Sequence, residues 1–279
     1  MPERPDLEYV VPKLVQGCVS ATIDAVEVST PVVLRTMVPG DPVELLRGRT
    51  IVSIQRRAHF VDFELDGLRM VVSPMLAGRF LLCEPKRRKA KANALRLTLS
   101  TGEQLRYSDD VQMGKVYLCE DPAPIPGYAT VGVDVLGPGF TVQCLQGLVK
   151  GRRDQVKLLL KDKSVLDSMG NAYADEVLWE AMVHPKVRCN QLTSQQIIEL
   201  HRAIVRVLTE ARDLIAEREP ALDEKVRDFL KVRNRKGKAC PRCSDTIRAA
   251  GVRGFDAFFC PTCQKLGGRG FIDWSKVRK

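Results

Sequence analysis

Four cysteines near the end of the chain have the spacing of a metal site. Cys240 and Cys243 form one CxxC pair, and Cys260 and Cys263 form a second pair farther along. Two such pairs can place four thiolates around one Zn²⁺, and a shell of four protein ligands leaves no open position for catalysis. We therefore predict one structural zinc ion here. Two disulfides are the alternative, which a reducing compartment disfavours.

The elements that would position this site change in character along the chain. Residue patterns predict a helix over Pro5–Gln16 and then short strands, while a proline- and glycine-rich connector at 121–138 indicates a domain boundary. Apolar residues then recur at helical spacing, and residues 246–259 have the pattern of a hairpin between the cysteine pairs. The predicted strands are Val19–Val28, Thr50–Arg56, His59–Leu65, Leu68–Ser73, Arg79–Cys83, Ala94–Leu99 and Gln104–Tyr107. The predicted later helices are Thr141–Lys150, Arg153–Leu160, Ala172–Met182 and Ser194–Glu217.

The predicted fold class is therefore α+β. An N-terminal antiparallel β-sandwich with a flanking helix would occupy residues 1–120, and a linker would occupy 121–139. A helical domain would follow at 140–232, and the zinc finger hairpin with a tail at 233–279. The run KRRKAK at 86–91 is expected to be an exposed basic loop between strands.

The charge balance favours a polyanionic partner. Lys and Arg number 44 against 34 Asp and Glu, a formal net charge of +10. Such an excess indicates nucleic acid or an anionic surface, although a basic protein kept soluble by its charge is the alternative. Apolar runs stay below the ~18 residues of a membrane helix, and the acidic N-terminus is unlike a signal peptide. We expect a cytoplasmic protein whose five remaining cysteines are reduced.

The order of several short motifs gives the chain a family resemblance. Met1-Pro2-Glu3 opens the chain, and the four-cysteine finger closes it. Between them lie RRAHF (56–60), AGRF (77–80), RYSD (106–109), LGP (136–138), MGNAYADE (169–176) and HP (184–185). From Met1 to about Gln264, this layout resembles the formamidopyrimidine-DNA glycosylase/endonuclease VIII family of base-excision repair enzymes. The resemblance implies a monomeric DNA glycosylase with AP lyase activity, acting at the nucleoid on oxidised or ring-opened bases in double-stranded DNA.

The resemblance assigns the chemistry to Pro2 and Glu3. If Met1 is removed, Pro2 presents a secondary amine, and an α-amino group with a pKa near 8 is partly unprotonated at neutral pH. Such an amine can attack C1′ of a damaged nucleotide and form an iminium, and Glu3 would transfer protons. Without the resemblance, Glu3 is an ordinary carboxylate of a first helical turn.

The resemblance also implies residues that hold the DNA backbone. Lys157 and Asn171 would bind phosphates in a helix–two-turn–helix, with further N–H donors from helix N-termini. Asn171 alone is equally typical of a turn. The arginines of the zinc hairpin, among them Arg253, would meet phosphate as well.

Departures from the family pattern concern the substrate. His59 stands where relatives carry lysine, and it would take part in catalysis by contacting phosphate or relaying a proton. It resembles lysine only when charged, and a structural strand histidine is the alternative. The residues that fill the space of the flipped base match Leu76, Val111 and Met113 here. Leu76 and Met113 still provide an apolar wedge. The arginine that would bond the opposite base is absent, and we expect weak opposite-base discrimination.

Two further departures lie near the C-terminus. The family's hairpin arginine corresponds to Phe255, with Arg253 two residues away, so elimination beyond the first step is in question. Residues 218–228 are short for a loop that closes over 8-oxoguanine, which disfavours this base as the preferred substrate.

Two other functions compete with this prediction. One is a family member that binds damaged DNA without cutting it, favoured by the missing lysine and arginine. The other is a zinc-ribbon factor for RNA or transcription, which would leave the N-terminal Pro2-Glu3 pair unexplained.

Overall fold

The computed structural model describes residues 2–88, 92–167 and 169–266, which form two compact units. The first unit contains the described residues of 2–134, 166–167 and 208–227. The second contains those of 135–165, 169–207 and 228–266. The predicted basic loop at 86–91 lies partly outside the described residues. Within the described ranges, we find no helix long and apolar enough to cross a membrane.

The first unit consists mainly of strands. Its elements are α1 (Arg4–Cys18), β1 (Ile23–Val28), β2 (Leu34–Thr36), α2 (Pro42–Leu46), β3 (Ile51–Arg57), β4 (Phe60–Leu65), β5 (Leu68–Ser73), β6 (Arg79–Cys83), β7 (Asn93–Leu99), β8 (Gln104–Ser108) and β9 (Lys115–Cys119). One sheet has the order β1-β7-β8-β6 and the other the order β2-β9-β5-β4-β3. Side chains from both sheets and from α1 share a single apolar core, among them Leu14, Phe63 and Leu97. The predicted sandwich with a flanking helix is confirmed.

The structure corrects the strand prediction in three places. The pair β2–β9 is parallel, so the sandwich is not wholly antiparallel. Both strands were missed, because β2 has only three residues and takes its register from a partner about eighty residues away. The short helix α2 was also missed, although Asp41 caps it through Val43 N at 2.9 Å and Pro42 occupies its first turn. That Asp-Pro start is a signal that the sequence carries.

The second unit is helical and ends in a hairpin. Its helices are α3 (Val142–Val149), α4 (Val156–Lys161), α5 (Asn171–Glu180) and the first part of α6 (Ser194–Arg218), which continues into the first unit after Val207. Strands β10 (Arg248–Val252) and β11 (Phe255–Phe259) pair in antiparallel register around Arg253 and Gly254. Both turn residues have positive φ, as a two-residue turn between twisted strands requires. The predicted helices and hairpin are confirmed.

Candidate functional site

The N-terminal segment is held by a buried carboxylate and an arginine from far along the chain. Glu3 precedes α1 and is 4% exposed. The Asp6 carboxylate accepts a hydrogen bond from the Glu3 N–H at 2.7 Å. Arg227 grips the same carboxylate with two bonds of 2.8 and 2.5 Å. A bidentate guanidinium fixes both position and orientation, so Asp6 and Arg227 set the geometry of Glu3.

Arg4, the next residue of the same segment, is anchored by three carboxylates. Its buried guanidinium pairs with Asp167 at 2.9 Å, with Asp134 at 2.5 Å and with Glu8 at 2.9 Å. Arg56 reaches Asp167 at 2.6 Å. Removing one partner from such a set would leave a buried charge uncompensated. The start of α1 is therefore fixed next to Glu3 by two sets of ion pairs. We call Glu3, Arg4, Asp6, Asp167 and Arg227 the N-terminal cluster.

Pro2 lies in a small recess with a lysine that sequence reasoning missed. The recess is also lined by Asp6, Gly78, Arg79, Phe80 and Lys225. Burial lowers the pKa of Lys225 below its ordinary value, and the nearby Arg79 and Arg227 act in the same direction. Lys225 lies in a stretch, residues 225–238, that is rich in lysine and arginine. Charge runs are usually solvated surface, so nothing in the sequence distinguished this lysine from the others.

The predicted apolar wedge residues lie on two exposed loops of the first unit. Leu76, between β5 and β6, is 51% exposed, and Met113, between β8 and β9, is 43% exposed. Buried Asp109 shapes the second loop by accepting hydrogen bonds from Val111 N at 3.1 Å and Gly114 N at 2.6 Å. Exposed apolar side chains on a rigid loop are suited to contacts that form only with a partner.

The two loops meet at one tyrosine. Gly78 closes the first loop and Gly114 the second, and a Cβ at either position would overlap the Tyr107 hydroxyl. Arg79 also pairs with Asp110 of the second loop at 3.3 Å. Leu76 and Met113 are therefore presented by neighbouring loops that both pack closely against Tyr107.

His59 lies in the turn between β3 and β4. Its ring packs on Phe60 with centroids 4.1 Å apart, after Ala58 with a φ of 50°. The side chain is partly buried. Its predicted part in catalysis stays a prediction.

Lys157 and Asn171 lie in the second unit, and both bond to Asp256 of the hairpin. Lys157 has no exposed surface and pairs with Asp175, while its ammonium also donates to the backbone carbonyl of Asp256 at 2.6 Å. Burial lowers the pKa of Lys157, and Asp175 opposes that shift. This geometry makes Lys157 a support for the hairpin, and its expected contact with phosphate stays a prediction.

Asn171, the first residue of α5, contacts the side chain of the same aspartate, Asp256. Its side-chain amide donates to Asp256 Oδ1 at 2.8 Å, and Arg233 pairs with Asp256 Oδ2 at 3.2 Å. Burial alone would raise the pKa of Asp256, but Arg233 and the Asn171 amide outweigh it and lower that pKa. Arg233 also pairs with Asp175 at 2.9 Å. We call Lys157, Asn171, Asp175, Arg233 and Asp256 the hairpin cluster.

Arg253 lies outside this cluster, at the tip of the hairpin. The side chain is exposed, and its φ of 43° belongs to the turn. Phe255 follows it with 44% exposure, and the Lys161 ammonium lies over its ring. The expected contact of Arg253 with phosphate stays a prediction.

The four cysteines fit a zinc ion. All four Sγ atoms lie within 4.8 Å of one another, including Cys240–Cys263 at 3.9 Å and Cys243–Cys260 at 3.4 Å. Tetrahedral zinc with bonds of about 2.3 Å would separate its sulfurs by about 3.8 Å. The Trp179 indole donates to Cys240 Sγ at 3.4 Å. Such bonds stabilise a thiolate, the form that binds metal.

Known protein families match the chain in three successive parts. The formamidopyrimidine-DNA glycosylase N-terminal domain matches residues 1–116, and the H2TH domain of the same enzymes matches 131–217. A zinc finger found in Fpg and isoleucyl-tRNA synthetase matches 237–266. Together these matches span both described units.

Individual relatives are similar over nearly the full length. The formamidopyrimidine-DNA glycosylase of Pelotomaculum thermopropionicum is 32% identical, covering 95% of this chain and 100% of the relative. That of Chloroflexus aurantiacus is 33% identical, covering 95% and 98%. Lactococcus lactis Fpg in complex with DNA containing an abasic site has a TM-score of 0.85 at 27% identity, covering 95% and 100%. Its complex with DNA containing N7-benzyl-Fapy-dG has the same TM-score at 28% identity.

Proposed function

The chain belongs to the formamidopyrimidine-DNA glycosylase family of base-excision repair enzymes, and we propose on this basis that it excises damaged bases with Pro2 as nucleophile and Glu3 as proton carrier. The observation that carries the proposal is the buried Glu3 directly beside Pro2. The Glu3 N–H donates to the Asp6 carboxylate that Arg227 holds, and the Glu3 side chain accepts from the Asp6 N–H in a capping box. A carboxylate kept in one orientation next to an amine is the arrangement that covalent amine catalysis needs.

The reaction would begin once Met1 has been removed. The Pro2 nitrogen bonds to C1′ of the damaged nucleotide while the bond from C1′ to the base breaks, and the base leaves with the electron pair and accepts a proton. The nitrogen of this aminal then loses its proton, and the C1′–O4′ bond breaks while O4′ accepts a proton. The resulting iminium acidifies C2′. Loss of a C2′ proton then breaks the C3′–O bond and releases the phosphate, which is the lyase step. Glu3 would move protons in both steps.

The surroundings of Pro2 support its nucleophilicity. Burial is the main cause that lowers the pKa of the neighbouring Lys225, and Arg79 and Arg227 add to it while Asp6 opposes them. Positive charges disfavour protonation of a neighbouring amine in the same way, which would leave more of the Pro2 amine free to attack.

Substrate binding would divide between wedge and backbone contacts. Leu76 and Met113 would enter the base stack, because apolar side chains can separate a base step. Asn171 and the zinc hairpin would bind phosphates, while Lys157 would support them from behind. Extruding a damaged base is cheapest where pairing is already weak. We propose oxidised or ring-opened bases as substrates and, since the relatives are bacterial, the nucleoid as the place of action.

Borohydride trapping on duplex DNA with one abasic site tests the proposal. Zinc-loaded protein, shown by mass to lack Met1, should give a covalent adduct. Pro2→Gly should form the adduct at least about hundredfold more slowly, because a primary amine with altered geometry replaces the constrained secondary amine. Pro126→Gly, at an exposed loop proline, is the matched control and should trap normally. Full binding without any adduct would instead identify a damage-binding protein that does not cut.

A further inference from the structure

Asp256 places a negative charge among donors suited to phosphate. Its carboxylate is 57% exposed and lies on the rim of the hairpin cluster. It accepts from the Asn171 amide at 2.8 Å and pairs with Arg233 at 3.2 Å. Amide and guanidinium groups are common phosphate ligands. One oxyanion therefore already occupies two of the donors on this face.

The position is favourable for an anion for a second reason. Asn171 begins α5, a helix of ten residues, and the N-terminus of a helix carries partial positive charge. A carboxylate bonded to the first residue of α5 is stabilised where a phosphate would be stabilised too. Two oxyanions cannot share these donors, because they would repel one another at such a distance.

We propose that the Asp256 carboxylate occupies the position of a DNA phosphate in the free protein and must be displaced when DNA binds. Asp256 would therefore weaken binding to DNA in general and limit the time spent on undamaged duplex. This inference rests on the DNA binding of the proposed function and is independent of its chemistry.

The other cluster contacts do not depend on this side chain. Lys157 bonds to the backbone carbonyl of Asp256, and strand pairing with Gly251 also uses the backbone. Arg233 keeps its separate pair with Asp175. A substitution at Asp256 would thus remove the competing anion and leave the donors and the hairpin in place.

The experiment compares Asp256→Ala and Asp256→Asn with the parent protein by fluorescence anisotropy on undamaged duplex DNA over a range of KCl concentrations. At roughly 0.1 M salt, Asp256→Ala should bind about tenfold more tightly, and its logarithmic salt slope should steepen by about 0.9, the value for one additional phosphate contact. Asp256→Asn should fall between the two, because its amide can still bond to Asn171. Zinc content and thermal melting would establish that each variant is folded.

Asp213→Asn is the matched control. It removes the same charge from an exposed aspartate that pairs with an arginine, Arg212, on α6. A similar gain in this control would overturn the proposal, because net charge alone would then explain the effect. Weaker binding by Asp256→Ala would also overturn it, since Asp256 would then position the donors.

Borohydride trapping of the same variants separates this inference from the proposed chemistry. A steeper salt slope without any adduct in any variant would support the displaced carboxylate and reject Pro2 catalysis. Normal adducts with unchanged affinity and salt slope at Asp256 would support the chemistry and reject the displaced carboxylate.

Discussion

The N-terminal cluster and the hairpin cluster both combine acids with bases, but they differ in exposure. In the N-terminal cluster, Glu3 and Arg4 are each 4% exposed. In the hairpin cluster, Lys157 and Asp175 are fully buried below a half-exposed Asp256. A buried set of paired charges keeps one geometry, while an exposed pair exchanges its partners easily. We therefore propose that the first cluster positions a reacting group and that the second exchanges one anion for another.

Loss of zinc should have the largest effect. It should disturb the hairpin cluster and leave the N-terminal cluster unchanged. Cys260→Ser removes one of four thiolates, and structural zinc sites provide folding energy directly. We expect affinity for undamaged duplex to fall at least about hundredfold, as several phosphate contacts are lost together. Cys144→Ser, a thiol of the second unit outside the zinc site, is the control. Anisotropy and zinc content are the measurements, and unchanged affinity in zinc-free Cys260→Ser would contradict the expectation.

Breaking the N-terminal cluster should affect chemistry more than binding. Arg227→Met leaves Asp6 without its guanidinium, and loss of one partner of a largely buried pair costs about 3 kcal/mol. Displacement of the adjacent Glu3 should slow adduct formation about hundredfold. Trapping rates, urea unfolding and anisotropy would be measured together, with exposed Arg212→Met as control. A loss of affinity as large as the loss of rate would mean that the two clusters are not separate in function.

One glycine of a wedge loop and one glycine of α3 allow a smaller test, in which the two changes in stability should have opposite signs. Gly114→Ala would force a Cβ against the Tyr107 hydroxyl, and overpacking of this kind costs about 1–3 kcal/mol. Gly147→Ala lies in an exposed turn of α3 with nothing within 4 Å, so it should stabilise by about 0.5–1 kcal/mol through helix propensity. Thermal melting measures both changes. Equal shifts in the same direction would show that the close approach to Tyr107 does not matter.

The smallest effect should come from Asp256 on the stability of the free protein. Its folded pKa is lowered, so the carboxylate stabilises the fold above its unfolded pKa and loses this contribution as pH falls through its folded pKa. Because the side chain is more than half exposed, Asp256→Asn should lower stability at neutral pH by less than about 1 kcal/mol. Urea unfolding at neutral and acidic pH would detect it. The difference between parent and variant should shrink on acidification, and a growing difference would contradict the sign.

The sequence predicted most of this architecture because its signals are local. Strand β5 and strand β6 were predicted with the bounds they have, since apolar residues and turn signals delimit them. The elements it missed depend on distant partners, as β2 does, or are a single turn long, as α2 is. The predicted domain bounds and site roles stay predictions, and the experiments above address the site roles.

The zinc ligands and the Pro2-Glu3 pair are properties of the sequence itself, because each is defined by neighbours a few residues apart. The contacts between residues far apart in the chain are not properties of the sequence itself. Arg227 reaches Asp6 across 221 positions, and Lys157 reaches Asp256 across 99. A sequence pattern records spacing along the chain, whereas a charge responds to whatever the fold brings within a few ångströms. Only the tertiary structure could therefore decide that Lys157 is buried and that Asp256 holds the donors expected for DNA.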